Sequence, residues 1–130
     1  MIQFSIETKK SKEIIDITDI VNRELKNLKV ADGVCHLFVT HTTCALACAD
    51  LDPGTEQDIL DAIDKMFPKG NYRHGHDPQH VGEHIMSSII GQSLAIPVKN
   101  GKLSLGTWQR VILIELSGPR RRNIVLTVLS

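Results

Sequence analysis

Aromatic side chains are scarce in this chain: three Phe, one Tyr and one Trp make up 4% of its 130 residues. Single-stranded nucleic acid is bound largely by stacking bases on aromatic rings, so this scarcity argues against such a partner. An excess of one charge is also missing. Fifteen acids balance fifteen bases, giving net zero at pH 7. No global field would draw the chain to nucleic acid or to an anionic membrane. Cysteine is limited to three, an odd number that argues against a disulfide framework and for a reduced, cytoplasmic setting. No apolar run approaches the roughly 20 residues of a membrane span. The start, Met1-Ile2-Gln3-Phe4-Ser5-Ile6-Glu7, lacks a basic region followed by an apolar stretch, so no signal peptide is expected.

What is present is a globular profile, with 42% apolar and 23% charged residues, and a length that fits one domain spanning 1–130. Ile2, Phe4 and Ile6 alternate with polar residues at strand period. Residues 13–16 read as a short return strand. Ile17, Ile20, Val21, Leu25 and Leu28 fall at helical spacing, with Asp16 or Thr18 as candidate caps. Two apolar strands follow at 34–40 and 44–49. Asp52-Pro53-Gly54 reads as a helix start, with an acidic cap and proline at the first helical position. Ile59, Leu60, Ile63 and Phe67 give that helix its apolar face. Residues 72–79 read as a polar loop, and a third helix is expected from about 80 to 90, stopped by Gly91. Strands at 94–98 and 102–105 flank an Asn100-Gly101 hairpin tip. Residues 108–116 and 123–129 flank the turn 117–120. The order predicts an α+β fold: a single domain with a mixed or mostly antiparallel sheet and about three helices on one side.

Six histidines carry the chemical interest: His36, His41, His74, His76, His80 and His84. His41 ends an apolar strand and stands beside Thr40, Thr42 and Thr43, a position suited to chemistry or metal binding more than to packing. Neutral imidazole is the commonest protein ligand of zinc, and a catalytic zinc site takes three protein ligands plus one open position. His74 and His84 lie in segments able to fold back on His41. His80 is four residues from His84, on one helix face. His36 reads as a packed or solvent-facing strand residue, and His76 and His80 as surface residues. Cys44 and Cys48 share a strand face but stand roughly 13 Å apart, too far for a disulfide or a common metal. Cys35 reads, like them, as a small buried hydrophobe. Asp50 is a candidate to orient a histidine or to act as acid or base, while Asp52 reads as a cap. Arg120-Arg121-Arg122 follow Gly118-Pro119, and the planar guanidinium fork suits phosphate. Trp108, after Gly106-Thr107, packs in a core or stacks on a flat substrate.

His41-Thr42-Thr43, Asp52-Pro53-Gly54, Tyr72-Arg73-His74, His84, Gly91-Gln92-Ser93-Leu94, Leu105-Gly106-Thr107-Trp108-Gln109 and Gly118-Pro119-Arg120-Arg121 follow one another in the order of one family. On these motifs the chain resembles the YjbQ-like family, also called secondary thiamine-phosphate synthase-like, over nearly its whole length. The resemblance implies a compact α+β fold assembled as a homotrimer and a metal site at His41, His74 and His84. It further implies an association with weak thiamine-phosphate synthase activity, which joins a pyrimidine pyrophosphate to a thiazole phosphate. Two positions depart from the family's pattern. Asp50 stands where a Glu is usual, and His80 at or near an Asn.

The expected function is a metal-binding enzyme acting on a small phosphorylated metabolite. Zinc is the expected cofactor, because magnesium prefers oxygen ligands. His41, His74 and His84 would hold the metal, with Asp50 and His41 as the catalytic pair. Arg120, Arg121, Thr42 and Trp108 would contact substrate and phosphate. A metal-assisted hydrolase or lyase fits the ligands as well as a transferase. The alternative is a non-catalytic trimeric module that binds a metal or small anion. Neither nucleic acid nor membrane is expected as a partner.

Overall fold

The computed structural model describes residues 1–68 and 81–130. Period-two alternation at Ile2, Phe4 and Ile6 produces the first strand, β1 (Ile2–Glu7), with those three side chains turned inward. A short strand, β2 (Glu13–Asp16), and helix α1 (Thr18–Asn27) follow. Strands β3 (Gly33–Val39) and β4 (Cys44–Ala49) come next, then helices α2 (Thr55–Met66) and α3 (Val81–Ile90). The chain finishes with β5 (Ser93–Lys99), β6 (Lys102–Leu103), β7 (Arg110–Glu115) and β8 (Arg121–Leu129).

The strands form two sheets, ordered β1-β8-β3-β5-β6 and β2-β7-β4. Every pairing is antiparallel. The larger sheet turns Cys35, Leu37, Ile96, Ile124 and Leu126 toward the smaller one, which answers with Cys44, Leu46, Val111 and Leu113. Val21 and Leu25 of α1, with Ile17 just before it, complete this core. The other face of the smaller sheet presents Ala45, Ile112 and Ile114 to Ile63 of α2 and Met86 of α3. Both faces of β7 are thus covered, which is why Val111-Ile112-Leu113-Ile114 reads as a continuous apolar run instead of an alternating one. Full burial of each such side chain stabilises by roughly 1.5–3 kcal/mol.

Three local expectations are corrected. Asp52 does not cap α2. Asp52-Pro53-Gly54 is a turn: the Thr55 amide donates to the Asp52 carbonyl at 2.9 Å, and Gly54, at φ 93°, is the boundary residue. Helices cover the smaller sheet on one side through α2 and α3, but α1 packs into the core between the sheets. Strand β7 begins at Arg110, not 108, which leaves Trp108 in a turn and 69% exposed, outside any core. Asp16 does serve the start of α1, accepting the Thr18 amide at 3.0 Å, although Ile17 is the boundary residue. Cys35, Cys44 and Cys48 are free thiols. Burial pushes Cys35 and Cys44 up to about 11, so they stay protonated and inert. Among the described residues no helix is long and apolar enough to cross a membrane.

Candidate functional site

The chain leaves β3 at Val39, turns over residues 40–43 and enters β4 at Cys44. Three hydrogen bonds fix α3 beside this turn. The Val39 amide donates to the Gln92 carbonyl (2.9 Å), the Leu46 amide to the Gly91 carbonyl (3.0 Å), and the Ser87 hydroxyl to the Cys44 carbonyl (2.6 Å). The helix therefore runs in the same direction as the start of β4. His84 precedes Ser87 by three residues on the same side of the helix, about 4.5 Å further toward the turn. It is half-buried.

His41 folds its ring back onto the end of β8. Its Nε2 accepts the Asn123 amide N–H at 2.8 Å. A nitrogen that accepts an N–H carries no proton, so the neutral ring holds its proton on Nδ1 and offers that N–H as a donor. Burial lowers the His41 pKa from its ordinary value, and the nearby Arg122 and Arg120 guanidinium groups lower it further against the pull of Glu115. The imidazole is thus held neutral.

Beneath the turn lies a buried polar network that ties the two sheets together. Arg122 of β8 is 1% exposed and Glu115 of β7 is fully buried. The Arg122 Nε donates to both Glu115 oxygens, at 2.9 and 3.0 Å, and its Nη2 to Glu115 Oε2. The same Nη2 reaches the carbonyl and hydroxyl oxygens of Thr43, each at 2.9 Å. Glu115 also accepts the Thr8 hydroxyl at 2.6 Å and the Leu116 amide at 3.0 Å. Burial works to raise the Glu115 pKa, but the bonds from Arg122 and Thr8 and the Arg122 charge outweigh it and hold the carboxyl below its ordinary value. No buried side-chain nitrogen or oxygen among the described residues lacks a partner. The Arg122 clamp on Thr43 fixes the turn two residues from His41.

Of the three consecutive arginines, only Arg120 lies in the turn. Arg121 and Arg122 are strand residues, and Arg122 points into the interior instead of offering itself to a ligand. Arg120 is exposed and spends its Nε on the Ser117 carbonyl at 2.8 Å, leaving its terminal nitrogens. Arg121 stands 3.4 Å from Glu7 on the surface. Thr42 is exposed beside His41. Asp50 lies past the far end of β4, roughly 20 Å from the turn at strand rise, where its carboxylate accepts the Asp52 amide at 3.0 Å. Trp108 sits near that same far end, because Ala49 pairs with Arg110. The structure therefore places His41 beside Thr42 with Arg120 near enough to act on its ring, sets α3 alongside the turn, and separates Asp50 and Trp108 from His41 within one chain. His74, His76 and His80 lie outside the described residues, and among the described residues no three His, Cys, Asp or Glu side chains gather as a metal group.

The residues that sequence reasoning missed are Glu115, Asn123 and the clamping role of Arg122. Two signals point to the pair. Glu115 is the one charge in the apolar run 111–116, and Arg122 falls in the inward register shared by Ile124 and Leu126.

A family model described as UPF0047 protein YjbQ-like matches residues 2–130. A UPF0047 protein of Archaeoglobus fulgidus is 37% identical over 128 residues, covering 98% of this chain and 99% of that protein. A UPF0047 protein of Methanocaldococcus jannaschii is 34% identical, covering 100% of this chain and 94% of its own. Among solved structures, an uncharacterised YjbQ/UPF0047 protein of Clostridium acetobutylicum superposes with TM-score 0.90 at 37% identity, covering 99% of this chain and 100% of that chain. A hypothetical protein of Aeropyrum pernix superposes with TM-score 0.91 at 34% identity, covering 98% and 96%.

Proposed function

The chain belongs to the UPF0047 (YjbQ-like) family, and we propose that its His41 turn is the centre of an enzyme site for a small phosphorylated metabolite, with a divalent metal bound through imidazole nitrogen. The observation that carries this reading is the His41 ring itself: half-buried, held neutral, and anchored by one nitrogen to Asn123. Its Nδ1–H is a fixed donor for a phosphate oxygen. The exposed Thr42 hydroxyl adds a donor at the same turn, and the terminal nitrogens of Arg120, in the neighbouring 117–120 turn, add others. Arg121 would reach a phosphate by leaving Glu7, an exchange that costs little on the surface.

The proposed ligands are His41, His74 and His84. Three imidazoles fit zinc in kind and fit magnesium poorly. At His41 the fit carries a condition: the Nε2 lone pair becomes available only when the ring gives up the Asn123 N–H. Zinc held there would supply Lewis acidity toward a bound oxygen. Thiamine-phosphate formation is one reaction of this class, and metal-assisted hydrolysis or elimination are others. Asp50 and Trp108 reach a His41 turn only from a neighbouring subunit, which fits a homotrimer. The outer face of the larger sheet supports such an assembly: it leaves Phe38 41% and Leu129 64% exposed, with Val34 beside them.

One observation favours a non-catalytic binding module instead. Among the described residues the one buried acid near His41 is Glu115, and its oxygens are filled by Arg122, Thr8 and backbone amides, so it is no free general base. Elemental analysis of the purified protein beside His41→Ala and His84→Ala tests the metal. Loss of bound zinc in either variant supports the site, and unchanged content in both removes it. Turnover of a panel of phosphorylated metabolites, with and without zinc, then separates enzyme from binder. Thermal protection without turnover favours the binder.

A further inference from the structure

A cavity lies at the opposite end of β3 from the His41 turn. The β5–β6 hairpin tip leans on the C-terminal end of α1. Three hydrogen bonds fix it there: Leu103 amide to Asn22 Oδ1 (2.9 Å), Gly101 amide to the Ala31 carbonyl (2.8 Å), and Asn100 amide to Asp32 Oδ1 (3.0 Å). Between helix and hairpin is a cavity of about 680 Å³. Arg23, Lys26 and Lys29 line it from the α1 side and Lys102 from the hairpin, and no acidic side chain lines it. None of these four cations is engaged in a side-chain hydrogen bond or ion pair among the described residues, whereas Arg110, Arg120, Arg121 and Arg122 all are. Asn22 keeps its amide nitrogen as a donor, because its oxygen already holds the Leu103 amide.

Four cations with no side-chain partner among the described residues, around one preformed concavity in a chain whose net charge is zero, create a strong local positive potential. A single phosphate could neutralise two of them at most. We propose that this cavity binds a small oligophosphate, a chain of two or three linked phosphates carried by a nucleotide or free in solution. Arg23 supplies the planar fork that matches a phosphate edge, and the lysines act as point charges along the chain. The hairpin bonds set the cavity before the ligand arrives, which lowers the ordering cost of binding. The site is separate from the His41 turn: Val98 pairs with Gly33 at the start of β3, and six residues of strand put the two ends roughly 20 Å apart.

The test is titration of the full chain with inorganic tripolyphosphate, ATP and inorganic phosphate, read by calorimetry and by amide NMR shifts. The expected result is tripolyphosphate binding that moves the amides of Asn22, Gly101 and Lys102 and weakens with salt. The doubly substituted chain Arg23→Gln/Lys102→Gln should bind at least about ten-fold more weakly, the scale of losing two charge-assisted contacts. Both side chains are exposed, so its melting temperature should match the parent. His41→Ala should bind as the parent does. Equal binding of ATP and tripolyphosphate assigns recognition to the phosphates alone, and tighter ATP binding assigns it to a nucleotide. Shifts confined to residues 40–43, unchanged affinity in the double variant, or no binding of either oligophosphate would overturn the proposal.

Discussion

The two ends of β3 treat charge in opposite ways. At the Val39 end the interior charges are matched group for group: Arg122 divides its donors between Glu115 and Thr43, and Glu115 is filled by Arg122, Thr8 and a backbone amide. At the Gly33 end four cations ring a cavity with no side-chain partner among the described residues. Burial explains the difference. A charge taken out of water costs several kcal/mol unless it is paired and hydrogen-bonded, whereas an exposed cation remains solvated and costs little. The closed end is therefore committed to holding the two sheets and the His41 turn in place. The open end is free to exchange its water for a ligand.

The largest way to break this contrast is to unpair the closed end. Arg122→Met strands the Glu115 carboxylate in the interior and should lose about 3–5 kcal/mol in urea unfolding. A loss below about 1 kcal/mol, the worth of a surface pair, would erase the distinction. Adding Glu115→Leu to Arg122→Met should recover much of the loss, because the cost lies in the orphaned charge and not in the missing contact. Next in size is Gly118→Ala. A Cβ there would lie 2.4 Å from the Lys10 carbonyl oxygen and 2.9 Å from Glu115 Cγ. Backbone blocks it on one side and the buried pair on the other, so about 1–3 kcal/mol should be lost, measured by the same unfolding.

The closed end should also show itself in pH. His41 has a native pKa below its ordinary 6.5. As pH falls through that value the unfolded chain takes up the proton first, so stability declines until the native ring also protonates. Glu115 lies below its ordinary 4.5, so its contribution is present above that value and is lost as pH falls through the native pKa. Urea midpoints measured down a pH series should fall in two stages, and His41→Gln should remove the upper stage alone. A single stage near pH 4 in both proteins would deny His41 its neutral anchoring. The smallest stability effect belongs to the open end. Arg23→Gln/Lys102→Gln should stay within about 0.5 kcal/mol of the parent, and a larger loss would mean that these cations support the fold after all.

Much of the fold is legible in the sequence because alternation and helical spacing report which face is buried. The strand at Ile2–Ile6, the strand expected at 34–40 and found at Gly33–Val39, and the apolar faces of α1 and α2 follow directly, except that Leu28 falls past the end of α1 and is exposed. Two features resist. Asp52-Pro53-Gly54 suits a helix start and a turn alike, and only the bond from the Thr55 amide decides for the turn. The three arginines look alike in a row, but β8 begins at Arg121, so alternation sends Arg122 inward and Arg121 outward. The register, and hence the clamp on Thr43, depends on the partner strand, which local sequence does not specify. At the candidate site, His41 stands out by its place at a strand end. Its partner Asn123 does not, because the contact is to a backbone amide 82 residues away.

The most direct test of the His41 account is the nitrogen NMR spectrum of its ring in metal-free protein at pH 7, before and after addition of zinc. The predicted result is a neutral ring with its proton on Nδ1 and a bare, hydrogen-bonded Nε2, whose signal moves when zinc is added as the Asn123 amide is released. A ring protonated on Nε2, or a spectrum that zinc leaves unchanged, would contradict the proposal that this turn is a metal-dependent site.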